Sequence, residues 1–423
     1  MHNFMHRVMF GFLIPPFPLK LKPSVIYICN LLFCGLLITS LYTLIVNNYI
    51  IPTGNQQYLE LTRSFIKGRT YFTSDPSFDY PYADCSFFNG RYYWPLGVLP
   101  AILMVPFVLI SGDSFTQGML SGTLTLLNLV VLFIISYRII QDREKSLYLA
   151  SGYVFASAYF FVGLQPLSWY LAHVLATSGL LGAIYFTLIR RSPFLSGLLF
   201  TCAFLSRISV VFGGLFFVYY LVNSKYRGIR KDIVTFLAPV VFGLLFFSIY
   251  NYIRFGSPEE TGYRYQLLFT ELVGNRGNGM WSLAHFPANI YYMLLKGPDA
   301  SFQEGTKILT GLYPDIWGMG VLYTTPIFLY LLFMNTRDKI VKASLLGAIP
   351  VLVFLLGSFG IGAYQYGYRF VLDFQPFLYL ILISVFVKRR LGIFARLVVI
   401  GSFIFNIYMS NHFIINITSI YPR

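Results

Sequence analysis

From residue 25 to residue 411 the sequence is a succession of apolar runs, many about 20 residues long, separated by short clusters of Lys and Arg. The hydrocarbon core of a bilayer is about 30 Å thick, and roughly 20 residues of helix cross it with every backbone N–H and C=O paired inside the segment. The runs therefore point to an all-α polytopic membrane protein, residues 1–423 forming one integral-membrane domain of about eleven transmembrane helices. These are expected near 25–48, 119–139, 146–164, 170–189, 193–206, 208–223, 233–253, 317–334, 341–362, 370–387 and 391–411. Only 11% of the residues are charged, where a soluble domain carries roughly 25%, so the chain cannot cover itself with a polar surface. The net charge of +15 is scattered in short loops rather than laid along one face, which argues against a nucleic-acid partner. Three of the four cysteines (Cys29, Cys34 and Cys202) lie in apolar runs, and no Cys or His spacing suggests a metal site. Prolines 15, 16, 18 and 23 break the segment ahead of the first run, which lacks a cleavage pattern and reads as an uncleaved span.

The charged loops orient the spans. The run 95–111 holds Pro95, Pro100 and Pro106; leaving it out as a re-entrant or interfacial segment puts loops 138–145, 190–191, 225–231, 337–342 and 388–396 on the side of the N-terminus. That side then carries 19 of the 31 Lys and Arg and 4 of the 16 acids, as the positive-inside rule requires of a cytoplasmic face. The expected location is the cell membrane, with a cytoplasmic N-terminus and two long outer segments, 49–118 and 254–316. The second contains FPANIYYMLLKG, whose aromatics suit a helix lying in the interface.

The polar chemistry sits in those outer segments and at the adjoining helix mouths: DYPYADCSFFNGRYYWPLGVLPAILMVPFVL, PLSWYLAHVLA, FLSRISVV, YNYIRFGSPEETGYRYQ and GAYQYGYRFVLDFQPFLYL. In this order, over about residues 50–390, they resemble the GT-C-fold integral-membrane glycosyltransferases, in the protein-mannosyltransferase-like and aminoarabinose-transferase-like branch. The resemblance implies transfer of a sugar from a polyprenyl-phosphate donor to a protein, lipid or glycan acceptor on the non-cytoplasmic face. It also implies an essential carboxylate in a first outer loop with juxtamembrane helices. Where the family often has an acid just after the first span, this chain has Gly54, Asn55 and Gln56; a sub-branch instead places its Asp ahead of an NGRYY-type motif, here Asp84.

Transfer from a sugar phosphate needs a base for the acceptor's proton and cations or donors for the phosphate leaving group. Asp84 is the expected base, with Asp75 and Asp79 as weaker rivals; its alternative is a solvated acid capping a turn. Arg207, which interrupts an apolar stretch, and Arg369, at the mouth of the tenth span, are the expected phosphate cations. Arg207 has the alternative of snorkelling to headgroups. Arg369 and Asp373 stand at i,i+4, on one face of a helix, where an ion pair would neutralise the guanidinium. Arg91, Tyr92, Tyr93, His173, Glu260 and Tyr263 are expected to contact donor or acceptor. Their alternatives are an aromatic belt, a satisfied core histidine and solvated acids balancing Arg254 and Arg264. Among Tyr71, Tyr80, Tyr82, Tyr92, Tyr93 and Trp94, at least one is a candidate for stacking on a sugar. No cofactor is expected, and no acid cluster is dense enough to claim a divalent cation. Two other functions fit the same features: a non-enzymatic lipid-linked glycan transporter or flippase, and a glycan polymerase or ligase working through 254–316, with Glu259, Glu260 and Arg276.

Overall fold

The computed structural model describes residues 23–50, 56–72, 84–165, 167–223, 228–268 and 270–420. Six helices among them are long and apolar enough to cross a membrane: Ser24–Ile50, Gln117–Ile140, Ser168–Arg190, Ile229–Phe255, Lys339–Gly357 and Ile393–Phe413. Large apolar side chains stand exposed along them, including Tyr27, Tyr42, Phe242 and Ile253. Such an exterior is compatible with lipid and not with water. The long helices begin and end on recognisable signals. Thr116 caps Gln117–Ile140 through its hydroxyl, Asp338 caps Lys339–Gly357, and Gly256, at φ 73°, closes Ile229–Phe255.

The remaining expected spans form shorter pieces, so the structure does not reproduce eleven full-length helices. The run 146–164 breaks into Arg143–Phe155 and Tyr159–Leu164. Ser157 between them donates to the Tyr153 carbonyl and accepts from the Tyr159 N–H, substituting for helical bonds. The run 317–334 becomes a four-residue helix and a 3₁₀ segment, Pro326–Phe333. Pro193–Ser206 and Gln375–Lys388 are helices of 14 residues each. The proline-rich run 95–111 contains the helix Leu99–Ser111, with Pro100 in its first turn.

Two small hairpins accompany the helices, in the segments outside the long spans. Ser86–Phe88 pairs antiparallel with Arg91–Tyr93 across Asn89 and Gly90, which have φ of 49° and 75°. Positive φ at both central residues is the Asn-Gly hairpin turn whose twist matches that of the strands. Asp299–Phe302 pairs with Leu309–Tyr313 in the second long segment. The amphipathic stretch there begins as the helix Phe286–Ile290 and continues in wider turns through Leu295, with Tyr291 and Leu295 exposed.

One end of the bundle gathers the starts of Gln117–Ile140, Ser168–Tyr185 and Gln375–Lys388 with the ends of Pro193–Ser206, Ile229–Phe255 and Lys339–Gly357. The described parts of the first long segment, 56–72 and 84–111, are seated on this end. Its helix Gln57–Ile66 is tied down where the Tyr58 N–H donates to Gln117, and Arg254 donates to the Trp94 carbonyl at 2.9 Å. A compact cluster of Tyr58, Leu61, Trp94, Leu96, Met104 and Leu171 forms the floor beneath it. At the opposite end the polar contacts are those of the short charged loops: Arg396 with Glu144, Lys145 with the Phe386 carbonyl and Lys339 with the Asn223 carbonyl.

Candidate active site

Asp373 organises the centre of the site. Residues 369–373 form a 3₁₀ turn ahead of the Gln375–Lys388 helix, so Arg369 and Asp373 do not share an α-helical face as their i,i+4 spacing suggests. Pro376 starts the α-helix that follows. The buried Asp373 carboxylate instead faces two other helices. It accepts from Arg207 Nη2 at 2.9 Å and Nε at 3.3 Å, lies 2.9 Å from His173 Nδ1, and accepts from the Ser209 hydroxyl.

Arg207 is held in place because the backbone turns there: Pro193–Ser206 ends and the residue is extended before a new 3₁₀ turn, Ile208–Gly213. An intramembrane Arg requires a partner, and it finds one inside the bundle rather than snorkelling to headgroups. Its charge is therefore matched by a carboxylate inside the protein.

Arg369 is a buried guanidinium of the same neighbourhood, and among the described residues it forms no ion pair. Its Nη1 donates to the Ala363 carbonyl at 2.8 Å and to Gln365 Oε1 at 3.3 Å, while its Nε is buried without a partner among the described residues. The rings of Tyr170 and Phe370 lie 5.5 and 5.4 Å from it, a cation–π environment that leaves the charge intact.

Asp84 precedes the first hairpin in the left-handed conformation, φ 56°, which Asp tolerates better than most residues. Burial pushes its carboxyl up to about 6, against the opposing pull of the Arg369 charge and of the Trp169 indole. A carboxylate of this kind is a stronger base than an exposed Asp and is still ionised at neutral pH. Tyr263, in the short turn Tyr263–Tyr265, lies within electrostatic reach of Asp84, Arg207, Arg369 and Asp373; its phenol is pushed up by burial. Arg276 fixes this turn by donating to the Tyr263 and Gln266 carbonyls at 2.9 and 2.8 Å. The turn also meets the first hairpin, where the Ser86 hydroxyl donates to the Gly262 carbonyl.

The structure thus brings Asp84, Arg207, Arg369, His173 and Tyr263 into one neighbourhood and leaves the other named residues at its edge. The Arg91 guanidinium lies 4.3 Å over the Tyr71 ring on the exposed side of the hairpin, with the Tyr92 ring packed against Phe87. Tyr93 is buried against Phe255. These are packing contacts of the hairpin. Glu260 Oε1 accepts from the Gly262 N–H at 2.8 Å, shaping the loop that carries Tyr263. Asp75, Asp79, Tyr80, Tyr82, Gly54 and Asn55 lie outside the described residues. No group of three or more His, Cys, Asp or Glu suited to hold a metal occurs among the described residues.

Sequence spacing conceals the partnership of Asp373 with Arg207 and His173, which lies across three separate segments. One signal pointed to it: an Arg inside an apolar run needs an acid, and Asp373 is the acid within the expected span 370–387.

No family model and no curated protein matches the chain. The chain is similar in structure to the crystal structure of the apo oligosaccharyltransferase of Archaeoglobus fulgidus, at 14% identity and a TM-score of 0.48. The similarity covers 90% of this chain and 56% of that one, so the chain spans little more than half the length of that protein.

Proposed function

We propose that this chain is a membrane glycosyltransferase, moving a sugar from a polyprenyl-phosphate donor to a protein, lipid or glycan acceptor on the non-cytoplasmic face. The observation that carries the reading is the pairing of a proton acceptor with a cation: Asp84, its carboxyl raised to about 6, within electrostatic reach of Arg369, whose guanidinium forms no ion pair among the described residues. In the reaction Asp84 takes the proton from the acceptor's nucleophilic group as that group bonds to the anomeric carbon. The bond from that carbon to the phosphate oxygen breaks with its electron pair, and the polyprenyl phosphate leaves with its new charge held by Arg369. Fixed donors aimed at developing charge cost no reorganisation, and a guanidinium can grip phosphate through two parallel bonds. Tyr263 and His173 orient donor or acceptor, and the Asp373–Arg207 pair supports His173 from behind.

The test is transfer of labelled sugar from cell-derived polyprenyl-phosphate donors in membranes carrying equal amounts of wild-type or Asp84→Asn protein. Asparagine keeps the shape and removes the base, so a loss of roughly 10²–10⁴-fold is expected. Full activity in Asp84→Asn would remove Asp84 from the reaction.

A further inference from the structure

The Arg369 guanidinium is held by two neutral acceptors, the Ala363 carbonyl and one side chain, Gln365. The buried Gln365 uses its whole hydrogen-bonding capacity within the protein. Its Nε2 donates to the Trp317 carbonyl at 2.8 Å and to the Ile361 carbonyl at 2.9 Å. Its Oε1 accepts from the Arg369 backbone N–H at 3.1 Å and from Arg369 Nη1 at 3.3 Å. The orientation of the amide is forced, because two carbonyls can face only the NH₂ and two N–H groups only the oxygen.

The backbone is shaped to admit this amide. Gly362 has φ +75°, and a Cβ there would lie 2.9 Å from Gln365 Nε2; Gly318 has φ +92°, and its Cβ would lie 3.0 Å from Gln365 Cγ. Only glycine meets both demands at little cost. The two stretches are also joined along their backbones, by Met319 N–H to the Tyr366 carbonyl and Tyr368 N–H to the Met319 carbonyl.

We infer that Gln365 is a positioning residue for phosphate recognition: its neutral amide fixes the Arg369 guanidinium against the Trp317–Met319 segment without cancelling the charge. The inference rests on the reading of Arg369 as the phosphate cation. A carboxylate at this position would hold the guanidinium as firmly and spend its charge, as Asp373 does for Arg207. An apolar side chain would leave the Trp317 and Ile361 carbonyls unpaired and the guanidinium held by the Ala363 carbonyl alone.

The experiment measures binding of farnesyl phosphate, with farnesol as the uncharged control, to the full-length chain in detergent micelles. The proteins are wild type, Gln365→Met, Gln365→Glu, Arg369→Gln and the double variant Gln365→Met/Arg369→Gln. Gln365→Met is expected to weaken farnesyl phosphate at least tenfold and leave farnesol within twofold. The double variant is expected to be no weaker than Arg369→Gln alone, because the amide acts only through the guanidinium. Where Gln365→Met does not fold, Gln365→Glu carries the test; it is expected to lose phosphate binding at least tenfold near neutral pH and to regain part of it as acidification protonates the new carboxyl. Loss of both ligands in equal measure, or unchanged farnesyl phosphate binding in Gln365→Met or Gln365→Glu while Arg369→Gln loses it, overturns the role of Gln365. Unchanged binding in Arg369→Gln overturns the reading of Arg369 itself.

Discussion

Two arginines lie against opposite fates within one site. Arg369 is buried and Arg207 nearly so, its side chain 12% exposed, and both lie near the Phe370 ring, at 5.4 and 4.9 Å. Arg207 faces a carboxylate that His173 and Ser209 also hold. Among the described residues the Arg369 guanidinium bonds to an amide oxygen and a carbonyl, with aromatic rings beside it and Asp84 within electrostatic reach. The first arrangement resembles a structural tie between helices, where a desolvated charge is tolerable because it is matched. The second keeps a charge with no hydrogen-bonded acid among the described residues, which is costly for folding and, on the proposed function, is spent on an anionic ligand. Buried arginine is therefore not one category: an acid partner commits the charge to the fold.

The difference can be broken most strongly from the Asp373 side. Asp373→Asn leaves Arg207 uncompensated and is expected to lower stability by about 3–5 kcal/mol, read by thermal unfolding in detergent. Asp373→Leu combined with Arg207→Met is expected to recover most of that loss, since it removes both charges together. The second largest effect belongs to Arg369→Gln, expected to lower sugar transfer by roughly 10²–10³-fold, the usual cost of removing one charge-stabilising donor, with the melting temperature unchanged or raised.

The pH dependence sharpens the contrast further. Asp84 acts as a base only when ionised, so transfer is expected to fall as the pH drops through about 6. The Arg369 charge pulls this value down; in Arg369→Gln the midpoint of the residual rate is expected to move to higher pH, because the carboxylate loses its cation. The same profile measured on Arg207→Gln is expected to keep its midpoint, as Arg207 is matched by Asp373. The smallest effect is expected from Arg91→Ala, an exposed residue whose guanidinium packs on the half-buried Tyr71 ring: a change of about twofold or less in transfer, and stability altered by about 1 kcal/mol at most.

Much of this site was legible in the chain. Runs of apolar residues located all six long helices, and the rarity of charge inside them marked Arg207 and Arg369. Hydropathy failed where a short polar residue or glycine redirected the backbone without changing the apolar average. Ser157 interrupts 146–164, and Gly318 and Gly320 prevent a helix at the start of 317–334. Spacing failed at Arg369 and Asp373 because the rule of i,i+4 assumes 3.6 residues per turn, and a tighter 3₁₀ turn sends the carboxylate toward Arg207. The NGRYY motif was read for its chemistry, while its Asn-Gly pair is a hairpin signal; the fold uses Arg91 and Tyr92 to build that hairpin and Asp84, just ahead of it, to face the site. Gln365 carried no signal, since an amide between two tyrosines near a helix mouth reads as an ordinary loop residue.

Gly97 gives the first outer segment a genetic address. A Cβ there would come within 2.3 Å of the Leu205 and Ser206 carbonyl oxygens, the last turn of helix before Arg207. The contact is backbone against backbone, so no rotamer change relieves it and any side chain must lift the segment bodily. Gly97→Ala would leave every charged and polar group of the site in the chain and alter only the seating of one segment on another. Such an allele separates assembly from chemistry in a living cell: a strain carrying it is expected to grow at low temperature, lose the product on warming, and revert through second-site changes clustered around residues 205 and 206 rather than at Asp84 or Arg369.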